Sequence, residues 1–204
     1  MRKKSYRPRL RGQIKKAFLN LTKKENRILV IGDLHEPFCL DGYLDFCKET
    51  YQNFNCNKVV FIGDVIDNHY SSYHESSADG LGGKYELEQA IKKLSKWYKA
   101  FPIADVTLGN HDRIIIRKAQ TSNIPSKWIK EYRDVLETTK WNFVTDVYYD
   151  GVRYVHGDKS GKPRMAAKRD MVSTVSGHYH TDFYVEWLFG KTRAIFALAT
   201  GCGI

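Results

Sequence analysis

The sequence predicts an α/β fold built on a parallel sheet, and three observations support this. First, three short apolar runs, at 28–31, 58–62 and 103–108, each end directly at a glycine. Strands that are buried on both faces have this pattern. Second, a stretch of helical periodicity separates each run from the next. Third, the order strand, helix, strand, helix, strand is that of parallel βαβ units.

Two predicted helices fill the gaps between these runs, at about 41–52 and 84–100. The second is clearer, because its apolar residues recur at i, i+3 and i+4 while lysines occupy the other face. These apolar residues are Leu87, Ala90, Ile91, Leu94, Trp97 and Tyr98. Ligands of such sheets bind beyond the carboxyl ends of the strands, so we expect functional residues at the glycines that end the three runs.

The rest of the domain is first helical in character and then β-rich. We predict helix over 113–138, with a break near Asn123-Ile124-Pro125. Five β segments and one further helix follow. The segments lie at about 142–148, 152–156, 172–176, 183–189 and 192–199, and the helix lies at 162–170. Turn residues at Asp150-Gly151 and at Phe189-Gly190-Lys191 suit hairpin connections.

The net charge of +10 lies entirely at the N-terminus. Residues 1–27 hold eleven lysines and arginines and one acid, whereas residues 28–204 hold twenty-two residues of each sign. We therefore divide the chain into a basic arm, 1–27, and one domain, 28–204. The arm is either a contact for phosphate backbones or a solvated tail. Within it, 13–21 has the pattern of a short amphipathic helix that packs onto the domain.

Composition also indicates the compartment. No run of 18 or more apolar residues is present, and the charged N-terminus lacks the apolar stretch of a secretory signal. The four cysteines show no paired spacing, which is typical of reduced thiols and predicts a cytoplasmic protein without a membrane partner. The chain ends in apolar residues at 194–204, which is typical either of a buried last strand or of a shortened sequence.

Five short motifs contain five of the seven histidines. Each motif supplies metal-ligand side chains on a short loop that contains glycine, and four of the five closely follow a β-rich apolar run. The motifs are GDLH at 32–35, GDVID at 63–67, GNHD at 109–112, VHGD at 155–158 and GHYH at 177–180. Together they predict a metal site.

Seven of the motif residues have side chains that bind metals. They are Asp33, His35, Asp64, Asn110, His156, His178 and His180. Singly, each has an ordinary alternative as a turn residue, a helix cap or an unremarkable histidine, but all seven alternatives would have to hold together. Seven ligands exceed the four of a structural zinc and suit two ions that share Asp64. Mixed carboxylate and imidazole ligands favour Mn²⁺, with Fe or Zn²⁺ as alternatives, over Mg²⁺ and Ca²⁺.

Taken in order, the five motifs resemble the signature of the calcineurin-like metallophosphoesterases of phages and bacteria. The resemblance implies a four-layer α/β/β/α sandwich, two sheets flanked by helices. It also implies how the two metals are held: one by Asp33, His35, Asp64 and His180, the other by Asp64, Asn110, His156 and His178. In similar proteins the β element at 201–204 continues further, so the resemblance implies that a C-terminal segment is lacking.

The resemblance further implies the reaction, which is phosphoester hydrolysis by a hydroxide that bridges the two metals. His111 would protonate the leaving oxygen or stabilise charge on the phosphoryl group, and Asp67 would orient His111. The second motif departs from the phosphoprotein phosphatase branch, because Asn68-His69 stand where that branch has Arg-Gly. Arg113 is a candidate replacement for this phosphate-binding arginine, or else it faces solvent.

A long polar loop at 68–83 begins directly after the second motif. Loops of this length inside a compact domain are usually functional or disordered, and this one is placed to overhang the site. Its two histidines, His69 and His74, lie outside the motifs, and we expect neither to be a metal ligand.

The motifs indicate the reaction more directly than the substrate. Basic residues crowd 159–169, soon after His156, and form either a rim for a polyanion or a solvated helix face. With the basic arm they favour a phosphodiester of nucleic acid or a nucleotide, and a phosphomonoester is the alternative. A nucleic-acid-binding protein with purely structural metals is a third hypothesis, which the complete ligand set and the pair His111 and Asp67 oppose.

Overall fold

A four-stranded parallel sheet forms where the sequence predicts βαβ units. The structure, a computed structural model, describes residues 26–73 and 80–204. The strands are β1 (Ile28–Ile31), β2 (Lys58–Phe61), β3 (Ala104–Thr107) and β4 (Trp141–Val144), adjacent in that order. Every pair is parallel. Helix α1 (Tyr43–Asn53) connects β1 to β2, and helix α2 (Gly83–Ala100) connects β2 to β3.

Several sequence predictions fall outside the described residues. They concern most of the basic arm, including the helix predicted at 13–21, and the middle of the polar loop, which contains His74.

The first core lies between the parallel sheet and its two helices. Leu94 and Trp97 of α2 are buried against Phe61 of β2 and Trp141 of β4. Trp97 and Trp141 both contact the Phe61 ring, at centroid distances of 6.0 and 4.6 Å. The helical periodicity in the sequence therefore marks the face of α2 that packs on the sheet.

A second, mixed sheet of five strands follows. It contains β5 (Asp146–Tyr149), β6 (Val152–Val155), β7 (Ser173–Ser176), β8 (Phe183–Phe189) and β9 (Ala194–Thr200), in the order β5-β6-β7-β9-β8. Its inner pairs are parallel, whereas the outer pairs β5–β6 and β8–β9 are antiparallel.

Two further cores complete the layers. Val60 and Ile62 of the first sheet pack against Tyr154 and Val175 of the second. On the outer face of the second sheet lies helix α5 (Pro163–Asp170), whose Ala167 packs on β9. The order of layers is helix, sheet, sheet, helix, so the predicted four-layer sandwich is confirmed.

The segment at 142–148, predicted as one strand, is two strands in different sheets. Val144 is the last residue paired with β3, and Asp146 is the first paired with β6. Only Thr145 separates them. The apolar pattern indicates that both stretches are extended, but it carries no information about which neighbour each one pairs with.

Helix content at 113–138 is lower than predicted. The structure has α3 (Ile114–Thr121), a 3-10 turn (Ser126–Trp128) and the single-turn α4 (Tyr132–Val135). The predicted break near Pro125 is present, and it is longer than expected because proline disfavours helix in the residue before it and lacks an N–H group itself.

Two further observations concern membrane helices and disulfides in the described residues. None of their helices is long and apolar enough to cross a membrane. All four cysteines are free thiols, as their spacing predicts.

We predict that Leu94→Ala lowers the free energy of unfolding by about 2–5 kcal/mol, because it leaves a cavity beneath α2. Urea denaturation followed by circular dichroism measures this loss. Lys92→Ala on the exposed face of the same helix is the control and should change stability by less than about 0.5 kcal/mol. Equal effects of the two substitutions would show that α2 does not pack as described.

Candidate metal centre

All five motifs lie at carboxyl ends of parallel strands. The first three follow β1, β2 and β3, the fourth lies at the end of β6, and the fifth follows β7. Backbone bonds connect the loops: the N–H of His35 donates to the carbonyl of Asp64 at 2.8 Å, and that of Gly177 to the carbonyl of His156 at 3.0 Å. Residues from two sheets therefore converge at one edge of the sandwich.

The first cluster consists of Asp33, His35 and His180. The Nε2 atoms of the two histidines are 3.2 Å apart, and Nε2 of His180 lies 3.3 Å from Oδ2 of Asp33. Nδ1 of His35 donates to the carboxylate of Asp67 at 2.6 Å, which places the proton on Nδ1 and a lone pair on Nε2. The carboxylate behind the imidazole is a typical partner of a metal-binding histidine.

The second cluster consists of Asp64, His156 and His178. Nδ1 of His156 donates to the carbonyl of Ile62 at 2.8 Å, so Nε2 carries the lone pair. That lone pair faces two oxygen acceptors, Oδ1 of Asn110 at 3.0 Å and Oδ2 of Asp64 at 3.1 Å. Three electron-rich atoms that point at one another need a positive charge between them.

The buried charges show the same requirement for a cation. Asp33 is fully buried, and its Oδ1 has no hydrogen-bond partner in the described part of the chain. Burial alone would lower the pKa of His156, but its hydrogen bond to Asp64 and the charge of that carboxylate raise it to about 9. The carboxylates that raise this pKa are the charges that a divalent cation would balance, so the residues present fit such an ion.

One carboxylate faces both clusters. Oδ2 of Asp64 lies 3.1 Å from Nε2 of His156 and 3.8 Å from Nε2 of His35. Its other oxygen accepts a hydrogen bond from the backbone N–H of His111 at 2.8 Å, which fixes the carboxylate orientation. The structure therefore brings all seven predicted ligands into two adjoining groups that meet at Asp64.

Comparison with known proteins agrees with this geometry. The sequence model of the family described as Calcineurin-like phosphoesterase matches residues 26–198. The chain belongs to the calcineurin-like phosphoesterase family. It is accordingly a metal-dependent phosphoester hydrolase. No curated protein matches the chain. Among solved structures, the Pseudomonas putida nuclease MPE is similar, with 10% identity, a TM-score of 0.40, and coverage of 86% of this chain and 71% of that one.

In this phosphoesterase, Asp67 contacts two histidines. Its carboxylate accepts from His35, as described above, and lies 3.6 Å from Nδ1 of His111. Its backbone carbonyl accepts the hydrogen bond of His111 Nδ1. The side chain of Asn68 donates to the carbonyl of His111 at 3.0 Å. His111 is thus held mainly by backbone groups, while the Asp67 side chain orients His35.

Sequence reasoning gave no role to Asp112, the last residue of the GNHD motif. Its buried carboxylate accepts backbone hydrogen bonds from Gly109, Asp64 and Val65, at 2.8, 2.8 and 3.1 Å. Burial, followed by the charge of Asp64, raises the pKa of Asp112 to about 6, whereas the backbone hydrogen bonds that the carboxylate accepts favour its ionised form. The available clue was that buried N–H groups of a tight loop need an acceptor.

Gly109 allows this close approach of two loops. A Cβ at this position would lie 2.0 Å from Oδ1 of Asp64 and 2.5 Å from its backbone nitrogen. Any side chain there would displace the carboxylate that both clusters share.

Arg113 does not face solvent, because its side chain is only 16% exposed. Its guanidinium donates to the carbonyl of Leu108 at 2.9 Å and pairs with the carboxylate of Asp158. The residue instead connects the third motif to the fourth, since Asp158 ends the VHGD sequence.

The basic stretch at 159–169 is largely neutralised. Lys162 pairs with Asp182 at 2.8 Å, Arg164 pairs with Glu186, and Arg169 pairs with Asp170 at 2.7 Å. Three of its five cations are therefore in ion pairs, which favours the solvated helix face over a rim for a polyanion.

We predict that Asp112→Asn destabilises the phosphoesterase by at least about 1–3 kcal/mol, because an amide NH₂ cannot accept the hydrogen bonds that this carboxylate accepts. It should also lower the content of bound divalent metal, since the loops of Asp64 and Asn110 would shift. Urea denaturation and elemental analysis measure the two effects. The exposed Asp134→Asn is the control. Wild-type stability with a full metal content would contradict the role given to Asp112.

Proposed function

We propose that the protein is a two-metal phosphodiesterase that hydrolyses nucleic acid or nucleotides. The observation that carries the two-metal assignment is the position of Asp64 Oδ2, which faces both histidine clusters. In this proposal one ion is bound by Asp33, His35, Asp64 and His180. The other is bound by Asp64, Asn110, His156 and His178.

The ligand atoms favour Mn²⁺, with Fe or Zn²⁺ as alternatives, because four imidazoles are present and Mg²⁺ and Ca²⁺ prefer oxygen. Two such ions would lower the pKa of water and neutralise charge on the phosphoryl group. The protein contributes the fixed orientation of their ligands, through the hydrogen bonds from His35 to Asp67 and from His156 to Ile62.

His111 is the proposed acid. Its Nδ1 donates to the carbonyl of Asp67, so Nε2 is the nitrogen that remains for a substrate. The side chain is 27% exposed and its ring lies 4.6 Å from that of His35, edge to face. The residue therefore borders the first cluster and is accessible to solvent, which suits proton donation to a leaving oxygen.

The proposal of a diester rests on access and charge. His180, on the rim of the first cluster, is 35% exposed, so a long substrate can reach the metals from the side. The arm at 1–27, which holds the whole net charge, would attract a polyanion. The arginine that follows the second motif in phosphoprotein phosphatases is absent, since Asn68 and His69 occupy those positions.

We predict that the purified protein with added Mn²⁺ hydrolyses bis-p-nitrophenyl phosphate faster than p-nitrophenyl phosphate. A panel with single- and double-stranded DNA extends the test to natural diesters, and EDTA should abolish all turnover because the ligands alone hold no Lewis acid. Preference for the monoester would replace the diesterase proposal with the phosphomonoesterase alternative. Salt-sensitive DNA binding without turnover would favour the hypothesis of structural metals.

We predict that His111→Ala lowers kcat at least about 10²-fold while the protein retains its metals, because a general acid contributes to rate and not to coordination. Elemental analysis should still give two ions per chain. His69→Ala is the matched control, since His69 lies on the neighbouring loop and only its backbone N–H, which alanine also has, donates to Glu86. An unchanged rate would remove His111 from the mechanism, and loss of metal would reclassify it as a ligand.

A further inference from the structure

A basic surface lies on helix α3, which begins three residues after His111. We call it the α3 surface and define it by Tyr73, Arg117 and Lys118. The guanidinium carbon of Arg117 is 5.1 Å from the centroid of the Tyr73 ring, and Nζ of Lys118 is 5.3 Å from it. Nζ of Lys118 also donates to the carbonyl of Ser72 at 3.0 Å. The tyrosine nevertheless remains 55% exposed.

The charge of this surface differs from that of the stretch at 159–169. Residues 113–130 include five lysines and arginines and no acid. Within residues 26–73 and 80–204, no carboxylate forms an ion pair with Arg117 or Lys118, whereas most cations at 159–169 are paired. Trp128, on the 3-10 turn that follows α3, is 81% exposed. Unpaired cations next to exposed aromatic rings are typical of surfaces that bind single-stranded nucleic acid.

The α3 surface is continuous with the proposed acid. Two hydrogen bonds join the chain segment that starts at Asp67 to the segment that starts at His111. In the first, Nδ1 of His111 donates to the carbonyl of Asp67. In the second, the side chain of Asn68 donates to the carbonyl of His111. Further along, the bond from Lys118 to Ser72 joins them again. Helix α3 begins three residues after His111, and at about 1.5 Å per residue Lys118 lies about 6 Å beyond its first residue.

We propose that the α3 surface binds the single strand that flanks the scissile phosphate, which makes single-stranded nucleic acid the preferred substrate. Arg117 and Lys118 contact the phosphates, and an unpaired base stacks on Tyr73. A base-paired duplex keeps its bases stacked internally and therefore cannot use Tyr73. This inference rests on the proposed diesterase activity and extends it to a substrate class.

The test compares an oligonucleotide with a small diester. Arg117→Gln/Lys118→Gln should raise KM for a fluorescent oligothymidylate about 10-fold or more and leave turnover of bis-p-nitrophenyl phosphate unchanged, because the small diester does not reach α3. Tyr73→Ala should raise the same KM by about 5- to 100-fold, the range of one lost stacking contact, whereas Tyr73→Phe should restore it. Lys92→Gln/Lys99→Gln removes equal charge from an exposed face of α2 and is the control.

Salt dependence gives a readout that misfolding would not mimic. Losing two phosphate contacts should reduce the slope of log binding constant against log salt by about 1.4 for a single strand. Fluorescence anisotropy with the same oligonucleotide measures this slope independently of catalysis. An unchanged slope and KM in the α3 variants would overturn the inference, as would an equal loss on the small diester.

The two proposals fail separately. If the wild type turns over neither diester, the proposed function fails, and anisotropy alone then decides whether α3 binds the strand. If the wild type cleaves the small diester but the α3 variants bind oligothymidylate as tightly as the control does, only the further inference fails.

Discussion

The candidate metal centre depends on one buried carboxylate that is not among the predicted metal ligands. Asp112 accepts hydrogen bonds from the backbones of both the second and the third motif. Hydrogen bonds to a charged acceptor contribute on the order of 1.5–3 kcal/mol each, and all three end on this side chain. They hold the loop of Asp64 against that of Asn110, so the side-chain oxygens of these two predicted ligands keep a fixed separation. Asp33 and the histidines are then arranged around that pair.

Concentrating acids in this way has an electrostatic consequence. Asp33, Asp64 and Asp112 are all buried at the same edge of the sandwich, and each charge disfavours the others. The pKa of Asp112 is raised by burial and by Asp64, whereas histidine partners keep the pKa of Asp64 low against the effect of burial. A divalent cation would balance these carboxylates with a larger and fixed positive charge. We therefore expect metal binding to add to the folding stability of this domain.

The sequence predicts the parts of this molecule that depend on local pattern. Strand β2, helix α2 and the ligand types follow from apolar periodicity and from motifs that begin at glycine. The convergence of the motifs follows from topology, because parallel strands present their carboxyl ends at one edge. The features that this local pattern does not predict depend on residues far away in the sequence. The residue pattern at 142–148 does not show that the chain changes from one sheet to the other at Thr145. Likewise, the sequence around Arg113 does not predict its ion pair with Asp158, 45 residues away.

The sequence and the structure lead to different conclusions about which basic residues are candidate substrate contacts. A count of basic residues selects 159–169, but there Lys162 and Arg164 face acids brought from elsewhere by the fold, and Arg169 pairs with its sequence neighbour Asp170. A cation in such an ion pair attracts a phosphate only weakly, because the carboxylate neutralises its charge. A cation without a carboxylate partner attracts a phosphate more strongly. Within the described residues Arg117 and Lys118 have no carboxylate partner, and hydrogen bonds between side chains and backbone carbonyls connect the segment from Asp67 to Ser72 with both His111 and their helix. Candidate substrate contacts should therefore be chosen by whether a cation lacks a carboxylate partner and by whether its segment connects to His111. By both criteria the cations of α3 are better candidates than those of α5.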